Sequence, residues 1–183
     1  FTRTFTVRAL PSLRDAAGEQ PHVLVINGFG RRGGEASFTS SFQQLGYREG
    51  RDYDTYTVMG PSSQVGNGIG SSGGHGANAQ QLDGYHHIFF FGGDLTAGLL
   101  SSDDAGSWGS PPGSGDVQML QQWYDLPGTR NGAWFGDNLV TSLVNSGSTG
   151  AFGFVTNTLG VVWMDSDVRD VIGGQTAPMV VPS

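Results

Sequence analysis

The chain contains no cysteine and no lysine. Without cysteine it has no disulfide, no thiolate metal site and no thiol nucleophile. Without lysine it has neither a Schiff-base amine nor the lysine of a P-loop, and all nine basic residues are arginine. Charge is sparse, at 14% of residues against roughly 25% in ordinary soluble domains. The excess is acidic: a net charge of -7 and a pI near 4.7 argue against nucleic acid and against an anionic membrane surface as partners. No apolar run approaches the ~20 residues of a membrane-spanning helix. These absences fit an extracellular setting and leave little with which to attack a substrate.

What is abundant is glycine, 31 of 183 residues, without the every-third-residue period of collagen. The length suits one domain with a real core. Residues 22–176 read as that domain, with a strand over 1–10, a polar linker over 11–21 and an exit linker over 177–183. In the first segment Phe1, Phe5 and Val7 alternate with Thr and Arg up to Pro11. Phe5-Thr6-Val7-Arg8-Ala9 resembles the final strand of fibronectin type III and immunoglobulin-like modules, which implies the end of a preceding module. An edge strand of the main sheet is the alternative. Both ends are read as joints between modules.

Within the domain, strands and helices alternate. His22 to Asn27 and His87 to Phe91 are apolar runs expected to be buried on both faces. Tyr53 to Val58 and Gly132 to Phe135 supply two more strands. Helices are predicted over Glu35–Leu45 (Phe38, Phe42 and Leu45 on one stripe, Gly46 ending it), Ala77–Leu82, Asp116–Trp123 (Val117, Leu120, Trp123) and Asp137–Val144. Ala151–Val155 and Leu159–Met164 suggest a closing hairpin or a further strand pair. Helical crossovers between buried strands imply a mostly parallel, doubly wound α/β sheet with helices on both faces, a flavodoxin-like three-layer sandwich.

In such a sheet the ligand crevice lies beyond the carboxyl ends of the strands. The loops starting at Asn27, Met59, Gly92 and Gly136 leave those ends, and the glycine-serine stretches 60–76 and 94–113 fall among them. Gly28, Gly30 and Gly33 fit the G-x-G-x-x-G spacing of a dinucleotide turn, with Asp52 or Asp54 as its acidic member. The plainer alternative is a tight turn with Arg31 and Arg32 in solvent. Asp94 follows the third strand as a crevice ligand or as a cap of the next turn. Asp137 and Asn138 follow a strand, a glycine and then a helix, the geometry that exposes a nucleophile at an elbow. Asp137 is either such a carboxylate or the helix N-cap. His75 is a candidate general base, or a metal ligand with Asp94 or Asp137, against a simple loop residue. Asp165, Asp167 and Asp170 lack the glycine and glutamate positions of an EF-hand, so a solvated acidic turn is expected there.

Three features together, namely the element order, the stretch Tyr85 to Asp94 with Ile88-Phe89-Phe90-Phe91-Gly92-Gly93, and the elbow Trp134 to Val144, resemble the class I glutamine amidotransferase-like fold, including its ThuA-like branch. The resemblance covers residues 22 to about 164. It implies backbone amides near a site after the third strand and a cysteine nucleophile at the elbow. Here the elbow is Gly136-Asp137-Asn138, and no His and Glu pair follows Val155 in clear register. The implied protein has that fold without its chemistry. The expected function is a non-catalytic module of a larger secreted or surface-exposed bacterial protein, serving ligand binding or structural assembly. Asn27, Arg31, Asp94, Asp137 and Asn138 are its candidate contacts. Its partners would be neighbouring domains, other copies or a small ligand, with no metal and no cofactor called for. A hydrolase using Asp137, His75 and Asp94, with or without a divalent ion, is the first alternative. A subunit of an extracellular filament or layer is the second.

Overall fold

The computed structural model describes residues 2, 9–13, 16–29, 34–58, 68–70, 76–93, 99–102, 115–161, 171–172 and 175–176. Four strands form one sheet: β1 (Val23–Asn27), β2 (Tyr53–Thr57), β3 (His87–Phe91) and β4 (Asn131–Phe135). Their order is β2-β1-β3-β4 and every pairing is parallel. Asn27 lies opposite both Thr57 and Phe91, and Phe91 opposite Phe135, so the carboxyl ends align along one rim. The chain steps outward from β1 to β2 and then crosses back to β3, which puts the switch in strand order between β1 and β3. This is the α/β, flavodoxin-like arrangement expected from the alternation of elements.

The helical elements are α1 (Glu35–Gln44), a 3-10 helix (Ala79–Leu82), α2 (Asp116–Tyr124), α3 (Leu139–Val144) and α4 (Thr149–Gly153), which runs into a π turn (Phe154–Thr158). A two-residue antiparallel pair, β5 (Val171–Ile172) with β6 (Gln175–Thr176), follows. Among the described residues no helix is long and apolar enough to cross a membrane.

Strand alternation sends Leu24, Ile26, Ile88 and Phe90 to one face of the sheet. There they join Val117, Leu120 and Trp123 of α2 and Leu139 and Leu143 of α3 in the main core. The predicted stripe of α2 is therefore the stripe that packs. The opposite face carries Val25, Tyr53 and Phe38 of α1, ringed by half-buried Phe29, Phe42, Phe89 and Phe91. Helices thus cover both faces, but unequally. β3 was expected to be buried on both sides, yet Phe89 and Phe91 are only half covered. The reason is geometric: among the described helices α1 alone lies there, and none of them covers β4 on that side, with Phe135 48% exposed.

Local chemistry explains where the helices stop. Gly46 adopts φ 85° just after α1. Its N–H donates to Gln43 O at 2.9 Å and the Tyr47 N–H to Phe42 O at 2.9 Å, the paired bonds of a Schellman ending. Leu45, read in the sequence as the last residue of the buried stripe, is the C-cap and is 74% exposed. The short helix predicted over Ala77–Leu82 begins at Ala79, because Asn78 caps it with a reciprocal Asn78–Gln81 capping box. Residues 151–158 are helical rather than a strand pair. Ser148 caps α4 by accepting the Ala151 N–H at 2.8 Å, and Ala151, Phe154 and Val155 then fall on one buried stripe against Trp134. Helical capping and packing override the β-propensity of that stretch; residues 162–164 lie outside the described ones.

At the amino ends of the strands the chain is clamped by Trp123 and Arg130. The Trp123 indole N–H donates to Leu82 O at 3.2 Å and to Tyr85 O at 3.0 Å. The Arg130 guanidinium lies 5.6 Å over that ring and donates to the carbonyls of Asp83, Tyr85 and Pro127 and to the Asp83 carboxylate.

Candidate functional site

The rim at the strand carboxyl ends is built by glycines used for close backbone approach. The Gly28 N–H donates to Phe91 O at 2.7 Å, and Gly92 N–H to Phe135 O at 2.6 Å. A Cβ on Gly28 would sit 2.8 Å from the Phe91 carbonyl oxygen, and one on Gly92 would sit 2.9 Å from Leu99. Both amides are thus spent on continuing the parallel ladder between neighbouring strands, which is a packing reason for glycine here rather than a phosphate cradle. The acidic partner of a dinucleotide turn is also misplaced. Asp52 precedes β2 and pairs with Arg51 at 2.7 Å, and Asp54 lies inside β2 rather than at its end. Gly30, Arg31 and Gly33 lie outside the described residues.

Asn27, the last residue of β1, is 5% exposed, and its Oδ1 accepts the Phe29 N–H at 3.1 Å. That bond shapes the turn after the strand. Asp137 is exposed and its N–H donates to Gly93 O at 3.2 Å, which pins the elbow to the β3 turn. The N-cap of α3 is Asn138, not Asp137, and Asn138 makes no side-chain cap bond. The strand–glycine–helix elbow of the sequence is present, but the capping role expected for Asp137 is not. Asp94 and His75 lie outside the described residues, as do Asp165, Asp167 and Asp170. The other histidines, His22, His86 and His87, gather at the amino ends: the His86 and His87 N–H groups donate to His22 O, and the His22 and His86 rings stack at 4.9 Å. Among the described residues no group of three or more His, Asp or Glu side chains is placed to hold a metal ion.

Because Asp137 is exposed and caps nothing, Asp137→Ala should shift folding stability by no more than about 0.5 kcal/mol. Urea unfolding of the variant checks this. A hydrolase reading of the elbow would further require the same variant to lose an activity the parent displays.

Two buried carboxylates tie loops to the fold: Asp116, which was not among the sequence candidates, and Asp54, which was one only as the acidic member of a dinucleotide turn. Asp116, the first residue of α2, is fully buried. It accepts the Gly70 N–H at 2.9 Å, the Ser101 N–H at 2.9 Å and the Ser101 hydroxyl at 3.1 Å. One side chain therefore joins the stretch after β2, the stretch after β3 and the start of a helix. Tyr56, whose hydroxyl donates to Gly68 O at 2.8 Å, has its phenol pushed above the ordinary range by burial and by the nearby Asp116 charge. Asp54, also fully buried, accepts the Tyr85 hydroxyl at 2.6 Å and the Ser12 N–H at 2.8 Å through Oδ2. Burial, and then the bond to Asp54, raise the Tyr85 phenol far above its usual value. The sequence signal for Asp54 was its place between Tyr53 and Thr55, two residues from Tyr56 on the core-facing side. The signal for Asp116 was a lone acid opening a helix after a glycine-rich stretch.

The open side of the rim is aromatic. Phe38, Phe91 and Phe135 stack as a row, with centroids 4.9 and 5.0 Å apart and planes within 8° and 10°. Phe29 lies beside them, 6.3 Å from Phe91. This row floors a groove of about 390 Å³ between α1 and the β3–β4 side of the sheet, lined by Phe29, Phe38, Phe42, Leu45, Phe89, Phe91 and Phe135 with only Gly34, Ser37 and Ser41 among them. The groove continues at the rim into a cleft of about 330 Å³ reaching Gly93, Gly136 and Asp137.

Fold and rim together define an α/β module of flavodoxin-like order whose strand ends meet in an aromatic groove. No protein-family model, no curated protein and no solved structure matches the chain.

Proposed function

We propose that this chain is a non-catalytic α/β binding module of a secreted or surface-exposed bacterial protein, and that it docks an apolar protein surface on its aromatic groove. That surface would belong to a neighbouring domain or to another copy of the chain. The observation that carries the reading is Phe135: it ends a stacked row of rings yet is 48% exposed, on a strand that no described helix covers on that side. Large apolar patches left uncovered on a folded protein mark contact surfaces. The chemistry of the chain agrees, since it has neither a thiol nor an amine nucleophile. The kinship to the class I glutamine amidotransferase-like fold belongs to the same proposal. It is supported by the Gly92-Gly93 turn after β3 and by the Gly136 elbow after β4, here put to binding rather than to acyl transfer.

Phe135→Ser tests it. The wild-type chain should enhance the fluorescence of an apolar naphthalene-sulfonate dye in its native state and should associate as its concentration rises in sedimentation velocity. The variant should lose most of both signals while unfolding within a few degrees of the parent, because half of that ring is already in water. A wild-type chain that neither binds the dye nor associates would sink the proposal.

A further inference from the structure

The cleft at the carboxyl ends of β3 and β4 brings together two groups that the fold itself leaves unused. One is Phe135. It stacks on Phe91 at 5.0 Å and 10°, and that is its one ring contact among the described residues, so its other face is open. The other is Asp137, two residues on. Its N–H is tied to Gly93 O, so the elbow holds the residue in place. Its carboxylate caps no helix and, among the described residues, makes no hydrogen bond or ion pair.

Both residues line the same cleft of about 330 Å³, whose remaining walls are Phe29, Phe91, Gly93 and Gly136. An apolar cleft with one anionic group selects a cation that carries carbon surface. The described arginines do not supply it: Arg48, Arg51 and Arg130 precede β2 and β4 and so lie at the opposite end of the parallel sheet. The net charge of -7 adds a field that draws cations to the chain.

The shape of the site narrows the choice of cation. Phe38, Phe91 and Phe135 lie 4.9 and 5.0 Å apart with planes 8° and 10° from parallel, so the next layer of the row is a flat group. A guanidinium is flat, stacks on aromatic faces and keeps its N–H donors in its own plane, where a carboxylate beside the ring can accept them. An ammonium is a compact and strongly hydrated point charge that gains less from a ring face.

We infer that this cleft binds a guanidinium group, stacked on the open face of Phe135 with its N–H groups donating to the Asp137 carboxylate. The group is an arginine side chain of the partner that docks in the adjoining aromatic groove, and in naming that partner the inference rests on the docking reading above. Asp137 then orients the partner, because apolar contact along the groove is non-directional.

The test titrates the isotope-labelled chain with acetyl-arginine methylamide and with its neutral isostere, acetyl-citrulline methylamide. The arginine compound should shift the Gly93, Gly136 and Asp137 amide resonances and saturate in the millimolar range, the strength of one exposed ion pair beside a ring. The citrulline compound should bind roughly tenfold more weakly, and Asp137→Asn and Phe135→Ser should each weaken the arginine compound roughly three- to fivefold. Equal binding of the two compounds, binding unchanged in Asp137→Asn, or shifts that avoid Gly93 and Gly136 would each overturn the inference. So would several-fold tighter binding in Arg31→Gln or Arg32→Gln, which would show that a guanidinium of the chain itself competes for the cleft. Dye binding and association of the wild-type chain read the docking proposal separately: arginine binding without either establishes the guanidinium site and removes the docking partner.

Discussion

Replacing Asp116 by Ala should destabilise the protein by about 3 kcal/mol or more and lower its melting temperature by roughly 6–12 °C. The side chain is fully buried and accepts from two backbone amides and one hydroxyl, those of Gly70 and Ser101. Alanine removes the acceptor and leaves these donors buried without it, and each such group costs about 1–3 kcal/mol. Asp116→Asn should fall between the two, since it keeps one oxygen but turns an amide toward donors. Thermal unfolding reads the total. Hydrogen exchange at the Gly70 and Ser101 amides reads the mechanism, because these should lose protection beyond the global change. Loss of stability with those two amides unchanged would contradict the clamp.

A second large effect is expected at Trp123. It is fully buried, donates to two carbonyls and lies beneath the Arg130 guanidinium. Trp123→Ala should cost about 3–5 kcal/mol, from lost apolar contact plus the cavity left behind. That is a large share of the 5–15 kcal/mol typical of a folded domain. Trp123→Phe keeps much of the volume and loses the indole N–H, so it isolates the bonds to Leu82 and Tyr85 at about 1 kcal/mol. The Tyr85 carbonyl retains Arg130 as a donor, which should soften the Phe variant. Equal losses in the Ala and Phe variants, by denaturant titration, would show that packing is not the main contribution.

Much of the fold was legible because its signals are local and repeated. Val23 to Asn27 and Val117, Leu120 and Trp123 show their burial through strand and helix periods alone, and the alternation of the two implies parallel crossovers. The stretch from Ala151 onward misled for the opposite reason. Its short apolar run suits either a strand or a helix, and the Ser148 cap together with the fit of Phe154 against Trp134 decides for the helix. The same limit applies to the rim. Gly28, with Gly30 and Gly33, suggests a phosphate turn by spacing, whereas the space at Gly28 is taken by the Phe91 carbonyl of the neighbouring strand.

Composition excluded thiol and amine chemistry outright, since no folding can supply a residue the chain does not contain. Periodicity likewise set the order of strands and helices, because each strand or helix buries its own apolar stripe whatever its neighbours. Which carboxylate becomes a buried clamp and which phenylalanine stays in water were settled only by tertiary structure. Asp54, Asp116 and Asp137 are chemically alike in the sequence. They differ because the fold carries two of them under other segments of the chain and leaves the third at the rim.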